Sequence, residues 1–167
     1  MIGKYLHNPL SEEQRDLMLL LIDELEPTTV GDVEVFIAAV ISPRYVDGLS
    51  VVAHKIMDVT DCQALIVMVE MEQRVFVVGR SKSRLLDVAR ALALVGGGGH
   101  SAAASAIVKG KSLEDTRRIL LNSLPDVLEK PVRARDIMSH PVYFVEAHTT
   151  IGEALLICQR YGHSGVC

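Results

Sequence analysis

Three observations predict an α/β fold with strands and helices interleaved around one mixed sheet. Segments with helical apolar spacing alternate with short β-branched-rich runs, and Pro or Gly punctuates most of the junctions. The residues are 49% hydrophobic and 23% charged, the composition of a folded chain rather than a disordered one. At 167 residues there is room for one ordinary domain plus a fragment, or for two small domains.

Ser11-Glu12-Glu13-Gln14 has the form of a capping box. Leu17, Leu20, Leu21, Ile22 and Leu25 then give an apolar helical face, so a helix is expected from Glu12 to about Glu26, stopped by Pro27. Gly31-Asp32 leads into Val33, Val35, Ile37 and Ala39, an alternation that predicts a strand to about Ile41, closed by Ser42-Pro43. Asp47 is expected to cap a helix that buries Leu49, Val52, Ala53, Ile56 and Met57 and turns His54 and Lys55 outward. Ala64 to Val69 and Val75 to Val78 form the arms of a hairpin whose tip is Glu70-Met71-Glu72-Gln73-Arg74. Leu85, Leu86, Val88, Ala89, Leu92 and Ala93 describe a helix that stops at the glycines, and Ala102 to Val108 reads as a strand. Ser112-Leu113-Glu114-Asp115 starts a helix ending near Leu124, with Pro125 as its stop.

The first domain is therefore placed at 1–124, with its core at about 32–123, followed by a connector at 125–132. In 133–167, Asp136-Ile137-Met138 reads as a short turn and Val142 to Val145 as a strand. Thr150-Ile151-Gly152-Glu153 caps a helix through about Tyr161, Gly162-His163-Ser164-Gly165 is a turn, and Val166 begins a further strand. That is a β-α-β unit begun and not finished, as expected of an internal slice of a longer protein.

No apolar stretch reaches the ~20 residues that span a bilayer, and the start of the chain has no apolar signal region. Cys62, Cys158 and Cys167 are odd in number and lack metal-type spacing; they read as reduced thiols of a cytoplasmic protein, with Cys62 and Cys158 in the core. The net charge of −4 argues against a general nucleic-acid binder, but it conceals an asymmetry. Residues 1–79 carry −8, residues 80–118 carry +5, and the remainder carries −1. The basic segment holds Arg80, Lys82, Arg84, Arg90, Lys109, Lys111, Arg117 and Arg118, and it also contains the run Gly96-Gly97-Gly98-Gly99-His100.

Four consecutive glycines can form a concave nest of backbone N–H donors for an anion. They can equally form a helix C-cap and a flexible turn. A G-x-G-x-x-G dinucleotide fingerprint is excluded, because Ser101 stands where glycine is required and a helix precedes the run where a strand should. A P-loop is excluded because no Gly-Lys-Ser follows at the right spacing.

Arg80-Ser81, Asp87-Val88-Ala89, Gly96 to Gly99 with His100, and Ala103-Ala104-Ser105 together resemble the DHH-associated domain of DHH phosphoesterases, such as RecJ-type exonucleases and oligoribonucleases. Ser105 departs from the glycine usual there. Arg135-Asp136-Ile137-Met138, Pro141-Val142, Thr149-Thr150-Ile151, Glu153-Ala154 and Arg160-Tyr161-Gly162-His163-Ser164-Gly165 resemble the first half of a CBS domain. Tyr5-Leu6-His7-Asn8-Pro9-Leu10 resembles the linker that enters this order of domains. The whole order resembles large bacterial proteins of the tRNA nucleotidyltransferase/poly(A) polymerase family.

These resemblances imply a phosphate- and nucleic-acid-binding module, inactive alone, within a parent nucleotidyltransferase or metal-dependent phosphoesterase. The implied phosphate-binding residues are Arg80, Ser81, Gly96, Gly97, Gly98, Gly99 and His100. Arg80 would pair with phosphate through its planar fork, Ser81 would donate a hydrogen bond, and the N–H groups of Gly97 to His100 would line the anion. No catalytic residue and no metal ligand is assigned, since neither Asp-His-His nor Asp-x-Asp occurs. Mn²⁺ or Mg²⁺ is expected in an upstream DHH domain. The implied partners are RNA or a short oligonucleotide, the neighbouring DHH, CBS and nucleotidyltransferase domains, and a second copy of the chain. The alternative reading is a regulatory or dimerisation element that senses adenine nucleotides through a completed CBS pair.

Overall fold

The computed structural model describes residues 9–129, 132–138, 143–162 and 164–165. The chain divides into two compact units, Met1–Lys130 and Pro131–Cys167.

The first unit is an α/β domain with one six-stranded mixed sheet. Its elements run α1 (Glu12–Asp23), β1 (Glu26–Val30), β2 (Val33–Ile41), α2 (Leu49–Thr60), β3 (Ala64–Met71), β4 (Arg74–Ser81), α3 (Val88–Ala93), β5 (Gly98–His100), β6 (Ala103–Lys109) and α4 (Leu113–Val127). The strand order is β1-β2-β3-β4-β6-β5; β2 and β3 are parallel, joined through α2, and the other neighbours are antiparallel. Ala64 to Val69 are all buried because helices cover both faces of β3. Leu65, Val67, Val69 and Met71 pack with α1 and α2, whereas Ala64, Ile66 and Met68 pack with α3 and α4.

Several expectations are corrected. α1 ends at Asp23, and Pro27 lies inside β1 opposite Phe36. β1 is an edge strand, where a proline sacrifices no ladder bond, so Pro27 marks an edge and not a helix stop. Pro125 likewise does not stop α4, which runs on to Val127. The proline removes one backbone donor in the last turns, while burying Leu124 and Val127 stabilises by about 1.5–3 kcal/mol each. Beyond α4 the chain stays attached, since Glu129 N–H donates to the Leu85 carbonyl at 2.7 Å.

Asp47 does not cap α2. The N-cap is Gly48, at φ +75, and no side chain bonds the first turn. The β3–β4 hairpin is tighter than expected, pairing Met71 with Arg74 around a two-residue turn with Glu72 at φ +49 and Gln73 at φ +59.

In the second unit the described residues include α5 (Ala134–Ile137) and α6 (Ile151–Tyr161). α6 begins with the expected capping box and ends on Gly162 at φ +66. Tyr143 to Val145 form no strand, while Val142 and Val166 lie outside the described residues, as do His7, His140, His163 and Cys167. Cys62 is buried as expected, but Cys158 is only half-buried, because no described residue of the second unit is buried. Among the described residues no helix is long and apolar enough to cross a membrane.

Two outcomes are expected. Glu72 and Gln73 hold left-handed backbone that costs L-residues ~1–2 kcal/mol each, so Gln73→Gly should stabilise the first unit by about 1 kcal/mol in urea unfolding. Glu153 accepts from the Thr150 N–H and hydroxyl, at 2.9 and 2.8 Å, and the backbone bond followed by the hydroxyl bond holds its carboxyl below the usual range. A depressed carboxylate contributes stability that is present above its unfolded value and lost as pH falls through its folded one. The Thr150 amide resonance should therefore titrate below the ordinary glutamate range, and Glu153→Gln should abolish that inflection.

Candidate nucleic-acid interface

The glycine run is resolved residue by residue into three different jobs. Gly96 has φ +80, and the Gly97 N–H returns to the Leu92 carbonyl at 2.8 Å, so these two residues terminate α3. Gly98, Gly99 and His100 do not form a loop; they are the edge strand β5, paired with Ser105, Ala104 and Ala103. A Cβ on Gly97 would lie 2.6 Å from the Ser105 carbonyl oxygen, and one on Gly99 would lie 2.4 Å from that of Ala103. A Cβ on Gly98 would meet nothing within 4 Å.

The intervening turn, Ser101-Ala102, is clamped at both carbonyls. Ser81 N–H donates to Ala102 and Val88 N–H to Ser101, each at 3.0 Å. Asp87 in turn caps α3, accepting from the N–H groups of Ala89 and Arg90 at 2.9 and 3.1 Å.

Register puts Arg80 and His100 in one row with β6 between them, but His100 does not line the groove at Arg80. Arg80 is opposite Ala103 across β4 and β6, and Ala103 is opposite His100 across β6 and β5. Directly opposed residues project to the same sheet face, so the guanidinium and the imidazole share one face across a small alanine. One turn of alternation further along, Val78, Ser105 and Gly98 form the next row. α1 and α2 cover this face over β2 to β4 but leave Ser105 and His100 exposed.

The result is a shallow groove of about 170 Å³ lined by Arg80, Gly98, Gly99, Ala103, Ser105 and Ser50 among others. Arg80 lines it, and its Nε–H is buried with no hydrogen-bond partner among the described residues. One terminal nitrogen donates weakly to the Ser50 carbonyl, at 3.4 Å. Ser81 is not free in the same way: its hydroxyl donates to the Ser83 carbonyl at 2.9 Å and accepts the Ser83 N–H at 3.1 Å. His100 is exposed and makes no side-chain hydrogen bond among the described residues.

The first turn of α2 also borders this face. Sequence reasoning assigned its donors to Asp47 and so missed that they lack a side-chain cap. The Asp47-Gly48 pair carried the signal, because glycine at the cap supplies no acceptor. Of the eight basic residues at 80–118, Lys82, Arg117 and Arg118 pair with Asp61, Glu26 and Asp115. Among the described residues, no three His, Cys, Asp or Glu side chains converge into a metal-holding group.

No protein-family model matches the sequence. Over 160 residues it is 32% identical to the A-adding tRNA nucleotidyltransferase of Geobacter sulfurreducens, a match that covers 96% of this chain and 18% of the relative. It is 27% identical over 143 residues to the A-adding tRNA nucleotidyltransferase of Aquifex aeolicus, covering 86% of this chain and 17% of that protein. The chain thus spans less than a fifth of these relatives, and the longer match crosses both of its units. An exopolyphosphatase-related protein of Bacteroides fragilis shares the fold, with a TM-score of 0.54 at 16% identity over 72% of this chain and 38% of that one.

The three glycine roles separate by mutation. Gly97→Ala and Gly99→Ala should each destabilise by about 1–3 kcal/mol, since backbone must move to admit the methyl. Gly98→Ala should leave the urea midpoint unchanged or slightly raised.

Proposed function

We propose that residues 1–124 are the phosphate- and nucleic-acid-binding module of a larger RNA-processing protein of the tRNA nucleotidyltransferase kind, positioning a phosphodiester for chemistry carried on another domain. The observation that carries this reading is the Arg80 guanidinium lining the groove, whose one hydrogen bond among the described residues is the 3.4 Å contact to the Ser50 carbonyl. A guanidinium with unsatisfied donors costs ~1–3 kcal/mol, so phosphate oxygens accepting from its terminal nitrogens recover energy that the free chain lacks. Arg80 takes the anion, His100 on β5, two strands from Arg80, donates to the part of the ligand that extends beyond the groove, and the uncapped first turn of α2 adds a favourable dipole. Gly98 keeps the floor open, while Ser81, Gly96, Gly97 and Gly99 shape the frame.

In the same reading, the module runs on through the end of α4 to about residue 130, and 133–167 is the N-terminal half of a CBS domain. Catalytic Mn²⁺ or Mg²⁺ belongs to an upstream DHH domain. The similarity of nearly the whole chain to a segment of a tRNA nucleotidyltransferase supports placing it in such a parent.

Binding of a short single-stranded RNA, measured across a salt series, tests the proposal. Arg80→Ala should weaken binding by about 1–3 kcal/mol and lower the salt slope by about one. Arg84→Ala, an exposed cation outside the groove, should change little. Equal affinities for wild type and Arg80→Ala at every salt concentration would refute it.

A further inference from the structure

Resting on the phosphate-binding reading of the Arg80 groove, we infer that the same sheet face carries a base-stacking platform formed by Tyr45, Phe76 and Ile107, so that the ligand is a single-stranded oligonucleotide lying along β6. The argument starts from register. The rows on this face run Arg80–Ala103–His100, then Val78–Ser105–Gly98, then Phe76–Ile107, then Arg74–Lys109. A second hollow, of about 260 Å³, adjoins the first and shares Ser50, Val78 and Ser105 with it. Tyr45, Phe76 and Ile107 all line this second hollow.

The middle of the track is apolar and open. Tyr45 is 49% exposed and Ile107 54%, and the Tyr45 ring meets Phe76 edge-on at 5.6 Å between centroids. Tyr45 is also held in place. The Ser42 hydroxyl donates to the Arg44 carbonyl at 2.7 Å, Val46 N–H to the Met71 sulfur at 3.2 Å, and Gln14 Nε2 to the Asp47 carbonyl at 2.9 Å. A pinned aromatic ring loses little entropy when a base stacks on it.

The ends of the track are cationic. Arg74 and Lys109 sit directly opposite one another, and neither forms an ion pair among the described residues. Opposed like charges destabilise a strand pair, and a backbone phosphate between them would relieve the repulsion. Asp47 is the one acidic residue lining either hollow. From Arg80 to Phe76 is ~13 Å and from Arg80 to Arg74 ~20 Å, at ~3.3 Å per strand residue. A cation at each end with an apolar platform between is the arrangement that binds single strands, whereas a lone phosphate has no use for the platform.

The full chain contains no Trp, so Tyr45→Trp places a single indole in the platform. The probes are a short single-stranded RNA and an abasic strand of the same length. RNA should quench the Tyr45→Trp emission, and the abasic strand should not. Tyr45→Ala and Ile107→Ala should weaken RNA binding roughly 5- to 100-fold and leave abasic binding unchanged, while Arg80→Ala weakens both. Thermal unfolding of each variant checks its fold, and Tyr45→Trp preserves ring packing should the alanine variant unfold. Equal binding of both strands without quenching overturns the platform and leaves the phosphate reading standing. Binding of neither strand overturns both. Self-association of the wild-type chain that Tyr45→Ala abolishes, with RNA affinity unchanged, assigns the face to a second copy and overturns the inference.

Discussion

The approach of β5 to β6 is the constraint on which the groove depends. A methyl group at Gly97 or Gly99 would collide with backbone atoms of β6, so the edge strand can lie in register only if those two positions carry no side chain. That register aligns His100 on the edge strand with Ala103 on the second strand and therefore with Arg80 on the third. The turn between β5 and β6 is then locked by main-chain donors from Ser81 and Val88. Arg80 and Ser81 thus divide the work: one side chain faces the groove, while its neighbour's backbone and hydroxyl fix the frame.

Coverage of the sheet explains why the groove stays open. α3 and α4 bury Ala104, Ala106 and Val108 on one face of β6, but α1 and α2 on the other face reach only as far as β4. Ala103 and Ser105 therefore line a shallow depression where larger side chains would have been needed to fill it. The uncovered face also collects charge that segment totals misplace. Arg117 is committed to Glu26 across to β1, whereas Arg74, counted within the acidic stretch, stands beside Lys109 on this face.

Much of the fold was legible because burial follows simple periods. The alternation from Val33, the unbroken apolar run from Ala64 and the caps at Ser11, Ser112 and Thr150 all correspond to real elements. What escaped reading has physical causes. Proline is a stop in an isolated helix, yet Pro27 is harmless on an edge strand and Pro125 is carried by the burial of Leu124 and Val127. β5 was invisible because glycine has no strand propensity; it pairs only because β6 offers small residues to approach. Arg80, Gly98 and His100 could be named from sequence, but their alignment is a property of register across three strands. Nothing local to Tyr45 indicated that its ring would meet Phe76, since that contact depends on the loop crossing the face between β2 and α2.

The groove's size bears on what it can do. Sites that enclose a small-molecule ligand usually have volumes of ~300–1,000 Å³, and the hollow at Arg80 is about 170 Å³ and open to one side. Such a surface can orient a phosphodiester but leaves its far side in water, where a developing charge is screened and the attacking group is uncontrolled. Catalysis by positioning requires the reacting atoms to be held on both sides at near-contact distance. In the proposed reading, Arg80 and the glycine edge supply one wall, and a second surface brought against this face would supply the other.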